Sequence, residues 1–255
     1  MTQAERRIYL IKELLSERPD YSNLIIPKGE QDQKRLLRTL MNVRAPKGID
    51  AEFLAIQDEY LQNEAAAKGI VDIADLTPVE DGIYLWQGDI TRLRCGAIVN
   101  AANLRLLGCF VPCHGCIDNA IHTYAGVQLR QKCAEVMREQ GYDEPTGRAK
   151  ITSAYNLPCD HVLHTVGPII SGKVTEEDEC LLRSCYLSCL ELAAKNDIES
   201  VAFCCISTGE FHFPNRLAAE IAVKTVREYK GEIEVIFNVF KDTDYEIYRE
   251  LLGKY

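Results

Sequence analysis

AIVNAANLRLLGCFVPCHGCIDNAIH, residues 97–122, begins as an apolar run, passes through a loop rich in Asn, Gly and Cys, and ends on a helical pattern. Ala97, Ile98 and Val99 form the kind of continuous apolar stretch that a strand covered on both faces needs. The polar residues are therefore gathered just beyond a strand end, where open α/β sheets place their ligands. The same alternation extends in both directions. Strands are expected at 83–86, 97–99, 150–154, 162–166, 201–206 and 234–239, and helices at 116–140, 176–196, 215–229 and 242–252. It predicts a three-layer α/β domain with a largely parallel or mixed sheet. No internal repeat, heptad array or low-complexity tract interrupts it.

Ahead of residue 71 the pattern is different. Between residues 5 and 67 apolar positions recur at helical spacing in three groups: Ile8, Leu10, Ile11 and Leu14; Leu36, Leu37, Leu40 and Met41; Phe53, Leu54, Ile56 and Leu61. Pro19, Pro27 and Pro46 fall between the groups and stop helix continuation there. Residues 1–70 are thus expected to form a helical extension, with the α/β domain at 71–255.

A hydrophobic content of 47% with 26% charged residues is that of an ordinary folded domain. The net charge of −9 disfavours broad binding to a nucleic-acid polymer, so any anion must be held locally by backbone N–H groups. No apolar run is long enough to span a bilayer, and residues 1–15 read as an amphipathic helix rather than an export signal. Eleven cysteines, several of them inside expected helices and strands such as Cys185, Cys189, Cys204 and Cys205, point to reduced thiols and a cytoplasmic setting.

Three segments can carry chemistry. GCFVPCHGCIDNAIH, residues 108–122, packs Cys109, Cys113, His114 and Cys116 ahead of a helix, and thiolate with imidazole suits zinc. Three ligands with an open fourth position would fit a catalytic metal, although a reduced cysteine cluster beside an incidental histidine gives the same pattern. GDIT, residues 88–91, follows a strand, and Asp89 there could cap a turn or accept from an exocyclic amine. ISTGEFHFPN, residues 206–215, places Ser207, Thr208 and Gly209 where backbone N–H groups could meet phosphate oxygens or simply make a turn. There is no GKS or GKT ending and no GxGxxG after a strand, which disfavours common nucleotide-hydrolysing and dinucleotide folds.

Taken in order, GDIT, VNAAN, GCFVPCHGCIDNAIH and ISTG…FP resemble the macrodomain family, specifically its zinc-containing branch of protein-ADP-ribose hydrolases, over residues 76–255. The resemblance implies a three-layer macrodomain with a mixed central sheet flanked by helices, and the helical extension also looks like that of this branch. It maps Asp89, with the Ile90 backbone beside it, onto the adenine site. It maps Asn103 onto the proximal ribose, and Asn103 with Asp118 onto the catalytic pair. Ser207, Thr208, Gly209, Glu210 and Phe211 map onto the diphosphate turn, with Glu210 expected to face solvent or the substrate protein.

The pattern GCFxPxHxC maps the Zn2+ ligands onto Cys109, His114 and Cys116 and leaves Cys113 at a variable position. His161, His164 and His212 are expected to be structural, and His122 to be a helix-packing residue rather than a fourth ligand. The implied activity is removal of mono-ADP-ribose from modified protein side chains, with a lipoyl-carrier protein among the possible substrates. The alternative is a reader that binds ADP-ribose intact. Whether zinc would acidify a water or grip a ribose hydroxyl stays open.

Overall fold

A computed structural model describes residues 1–21 and 24–253. The three expected N-terminal helices are α1 (Gln3–Ser16), α2 (Glu30–Val43) and α3 (Ala51–Lys68). Each start has a local cause. Thr2 and Glu5 form a capping box at α1, and the Asp50 side chain accepts from Phe53 N at α3, which satisfies backbone donors that a helix start leaves open. The apolar faces of these helices close on a core of their own, including Leu10, Ile11, Leu37, Leu40, Phe53 and Leu61, and Val127 of the following domain joins it.

The remainder alternates: β1 (Val71–Asp72), β2 (Ile83–Gln87), β3 (Leu93–Arg94), β4 (Ala97–Ala101), α4 (Ile117–Ala125), α5 (Val127–Gln140), β5 (Ala149–Ser153), β6 (His161–Thr165), α6 (Glu176–Lys195), β7 (Ser200–Phe203), α7 (Asn215–Tyr229), β8 (Glu234–Val239) and α8 (Asp242–Leu252). Six strands form one sheet in the order β2-β8-β7-β4-β6-β5, and β1 pairs with β3 in a small second sheet. All neighbours in the large sheet are parallel except β5, which runs antiparallel to β6 at the edge. The mixed α/β sheet flanked by helices matches the expected fold class. Helices α6, α7 and α8 pack together as one layer, and α4 and α5 contact β4 and β5.

Two expectations need correction. The single helix expected over 116–140 is broken at Gly126, whose φ of 99° no ordinary helical residue adopts. A Cβ there would also lie 2.5 Å from Gln128 Oε1 and 2.6 Å from Gln57 Nε2. The strand expected over 201–206 ends at Phe203, so Cys204, Cys205 and Ile206 already belong to the loop that leaves the sheet.

Parallel pairing has one consequence for function: the C-terminal ends of β2, β8, β7 and β4 all lie on one edge of the sheet. The segments after β2, β4 and β7 are those carrying GDIT, VNAAN and ISTG. Neighbouring strands are about 4.8 Å apart, so the edge from β2 to β4 runs about 14 Å.

Candidate active site

Strand β4 is buried on both faces and delivers Asn100 at its end. The parallel register pairs Asn100 with His164 of β6, so both side chains project from the same face. Asn100 Nδ2 donates to Asp118 Oδ1 at 2.8 Å and faces His164 Nδ1 at 3.2 Å. With Nδ1 accepting, the His164 proton is assigned to Nε2, which donates to Thr152 Oγ1 at 3.0 Å. Three residues on, Asn103 Nδ2 donates to Asp118 Oδ2 at 3.3 Å and to Gly108 O at 3.1 Å. Both asparagines thus grip the carboxylate of Asp118, which sits in the first turn of α4 where the helix dipole favours negative charge.

Asp118 is only 6% exposed, and burial pushes its pKa up to about 6 against the opposing pull of Asn100, Arg130 and Asn103. His122, one turn along α4, has Nε2 3.5 Å from Asp118 Oδ1. Burial, with His164 and Arg130 nearby, holds His122 well below its ordinary range, so its ring is neutral. Gly108 has φ 75°, and a Cβ there would lie 2.6 Å from the His122 ring. A glycine is therefore needed where the loop passes over the histidine.

Cys109, His114 and Cys116 come together as the resemblance implied, with their ligand atoms all within 4.8 Å of one another. Cys109 Sγ lies 3.7 Å from His114 Nδ1. Tetrahedral Zn–S and Zn–N bonds of ordinary length would set that edge at about 3.6 Å. Cys116 is the N-cap of α4, its Sγ accepting from Asn119 N at 3.4 Å. Burial pushes its thiol up to about 12, and Cys109 and Asp118 oppose its ionisation. Two thiols and an imidazole with their ligand atoms within 4.8 Å of one another are a donor set that fits a divalent metal of the zinc type. On the outer side, His114 Nε2 stands 3.7 Å from Glu210 Oε1. The Glu210 side chain is 72% exposed and so faces solvent, with Oε1 beside the outer nitrogen of the His114 ring.

In the loop after β7, Ser207 (φ 65°) and His212 (φ 58°) are left-handed. The turn closes through Phe213 N to Ser207 O at 3.0 Å and His212 N to Gly209 O at 3.1 Å. Thr208 N is committed to Cys205 O at 3.4 Å, whereas the N–H groups of Ser207, Gly209, Glu210 and Phe211 have no acceptor among the described residues. The buried Ser207 Oγ also lacks a partner. At the β2 end, Asp89 Oδ1 accepts from Thr91 N at 3.0 Å and Thr91 Oγ1 at 2.6 Å, capping a single 3-10 turn (Ile90–Arg92). Its second oxygen accepts no hydrogen bond among the described residues.

The chain is similar to known proteins over most of its length. The Macro domain family model matches residues 99–222. A protein from Treponema medium named protein-ADP-ribose hydrolase is 56% identical over 99% of this chain and all of its own length. The chain belongs to the macrodomain family. A protein-ADP-ribose hydrolase of Staphylococcus aureus is 48% identical over 96% of this chain and 94% of its own. The crystal structure of the Trypanosoma brucei macrodomain in complex with ADP-ribose superposes with a TM-score of 0.65 at 32% identity, covering 85% of this chain and 95% of that one.

Several residues of the macrodomain site had no signal in the sequence. Arg130 of α5 donates through Nε to Leu107 O at 2.7 Å and through Nη2 to Cys109 O at 3.3 Å. Its Nη1 meets the carbonyls of Met41, Asn42 and Arg44 at 3.1, 2.7 and 2.7 Å. Arg38 of α2 donates to His114 O at 3.0 Å and Asn119 Oδ1 at 2.7 Å, and Asn42 Oδ1 accepts from Cys113 N at 2.9 Å. The extension therefore clamps the cysteine loop, a role beyond the simple packing its apolar pattern suggested. Phe240, 75% exposed just past β8, was also missed. The strand edge joins it to GDIT, since Gly88 N donates to Val239 O at 2.9 Å.

Proposed function

We propose that this chain is a zinc-dependent hydrolase that removes mono-ADP-ribose from modified protein side chains. The observation that carries the reading is the order of sites along one sheet edge. Asp89 and the exposed Phe240 lie at β2 and β8, the unpaired N–H groups at β7, and Asn103, Asp118 and the Cys109, His114 and Cys116 cluster beyond β4. Adenine, diphosphate and terminal ribose follow one another in the same linear order, so on this reading Asn103 meets the ribose that bears the anomeric carbon rather than the proximal ribose that the resemblance implied. The free oxygen of Asp89 would accept from the adenine amine while Phe240 offers an aromatic face. The N–H groups of residues 207 and 209–211, with Ser207 Oγ, would receive the diphosphate without any net positive charge.

In the reaction the bond between the anomeric carbon and the side-chain atom breaks, water supplies the new C–O bond, and the side chain leaves with a proton. Asn103, braced on Gly108 O, orients the ribose. Asp118, desolvated and held by two amides, is placed to take the proton from the attacking water or from a ribose hydroxyl. Zinc held by Cys109, His114 and Cys116 would supply Lewis acidity toward that water or hydroxyl.

The test is an automodified mono-ADP-ribosylated protein incubated with the purified chain, with and without a chelator. The reading expects release of ADP-ribose that stops on chelation and returns with Zn2+. Retained label alongside intact ADP-ribose binding would make the chain a reader instead. A lipoyl-carrier protein remains a candidate substrate to include in that assay.

A further inference from the structure

On the face made by the extension, α2, α3 and α4 frame a groove of about 540 Å³ that lies apart from the nucleotide edge. Leu37, Met41 and Leu61 give it apolar walls. Lys34, Arg35, Arg38 and Lys68 line it against one carboxylate, Glu64, on a chain whose net charge is −9. The four cations are not equally committed. Lys34 Nζ sits 2.8 Å from Glu64 Oε2 and 3.2 Å from Glu30 Oε1, and Arg38 is used on the cysteine loop. Arg35 is exposed and has no carboxylate partner among the described residues. Lys68 is exposed as well, its Nζ 3.2 Å above the Tyr124 ring and without a carboxylate partner.

The groove borders the cysteine loop of the candidate active site. Cys113 lines it, with Sγ 3.4 Å from Thr39 Oγ1, and the next residue is His114 of the metal cluster. Thr123 and Tyr124 line it from α4, the helix that begins beside Asp118. A polypeptide leaving the reaction centre past the cysteine loop would enter the groove directly.

We propose that this groove docks an acidic segment of the ADP-ribosylated protein flanking its modified residue, with Arg35 and Lys68 pairing its carboxylates. The identity of the partner rests on the hydrolase reading, whereas binding in the groove is measurable without hydrolysis. A polypeptide fits better than a nucleic acid, because a chain with a net charge of −9 repels a long polyphosphate.

The experiment uses the full chain and three fluorescein-labelled peptides of equal length, one rich in Asp and Glu, one of Ser and Gly, and one rich in Lys, together with a thymidine oligonucleotide. Anisotropy should show the acidic peptide binding about tenfold tighter than the neutral one at low salt, with the difference shrinking as NaCl is added. Combined Arg35→Glu and Lys68→Glu should bring the acidic peptide down to the neutral one while ADP-ribose affinity by calorimetry stays at the wild-type value. The milder pair Arg35→Gln and Lys68→Met should shift it in the same direction. Equal binding of the three peptides, undiminished acidic-peptide binding in both variants, or tighter binding of the oligonucleotide would overturn the proposal. A wild-type chain that fails to bind ADP-ribose would count against the hydrolase reading, while the peptide titrations still decide the groove.

Discussion

Arg130→Met tests how far the site depends on a single buried guanidinium. The substitution keeps an unbranched apolar stem but removes the donors to five carbonyls, those of Leu107, Met41, Asn42, Arg44 and Cys109. Each buried acceptor left unpaired costs about 1–3 kcal/mol. Two effects reduce the sum. Leu107 and Cys109 are half-buried and can turn to water. Burial also lowers the Arg130 pKa to about 10, so removing this desolvated charge returns about 3 kcal/mol. The three fully buried acceptors come to about 3–9 kcal/mol, or about 0–6 after this return, and within that range the cost of breaking a buried charge network sets the net loss at about 3–5 kcal/mol.

For a chain of this size that is a Tm lower by about 6–20 °C. Thermal unfolding followed by circular dichroism reads it, and metal analysis of the same sample should show weakened zinc retention, because Leu107 and Cys109 lose their tie to the extension. Arg130→Lys, which keeps charge but cannot reach five acceptors, should fall between the two. A Tm within about 2 °C of wild type with full metal content would refute the idea that Arg130 holds the loop.

Asp118→Asn preserves shape, so ADP-ribose binding should persist while hydrolysis falls by about 10²–10⁴-fold, as single-turnover assays would show. Cys116→Ala should abolish stoichiometric zinc by elemental analysis yet leave a folded chain, because α4 keeps its packing and loses one weak cap bond. Glu210→Gln should weaken zinc affinity by about tenfold or less in a chelator competition, since this exposed carboxylate only steadies His114 from outside. His164 is buried and its pKa lowered to about 4, below the unfolded 6.5. Its contribution to stability is therefore whole above pH 6.5, declines by about 1.4 kcal/mol per pH unit below it, and is gone near pH 4. Urea midpoints measured across that window should fall accordingly, and a flat profile would contradict the neutral assignment of this ring.

What was legible in the sequence was what is local or periodic. The 3.6-residue spacing of Leu10, Leu14, Leu37 and Leu40 gave the extension helices, and the apolar run at 97–99 gave the central strand. The cluster of Cys109, Cys113, His114 and Cys116 was legible because its members lie within eight residues of one another, and the family pattern then set Cys113 aside. The break at Gly126 was not, because it depends on Gln57 filling the space a side chain would need, from a segment far away in sequence. The Asn100, His164 and Thr152 chain required the β4–β6 and β5–β6 registers, which no single segment encodes. Arg130 finds three of its five carbonyl partners, and Arg38 its own, across 76–89 positions, so they read in the sequence as ordinary surface helix residues.

The carbonyls that Arg130 collects from residues 41, 42 and 44 bear on how this protein can be cut down. A shortened version begun at the change of composition near residue 71 would retain every candidate catalytic and metal-binding side chain. It would also strand a guanidinium in apolar surroundings and free the cysteine loop from α2. Such a fragment should be a poor stand-in for the whole, with weak metal loading even where its sheet folds, so the smallest unit worth assaying starts at α1.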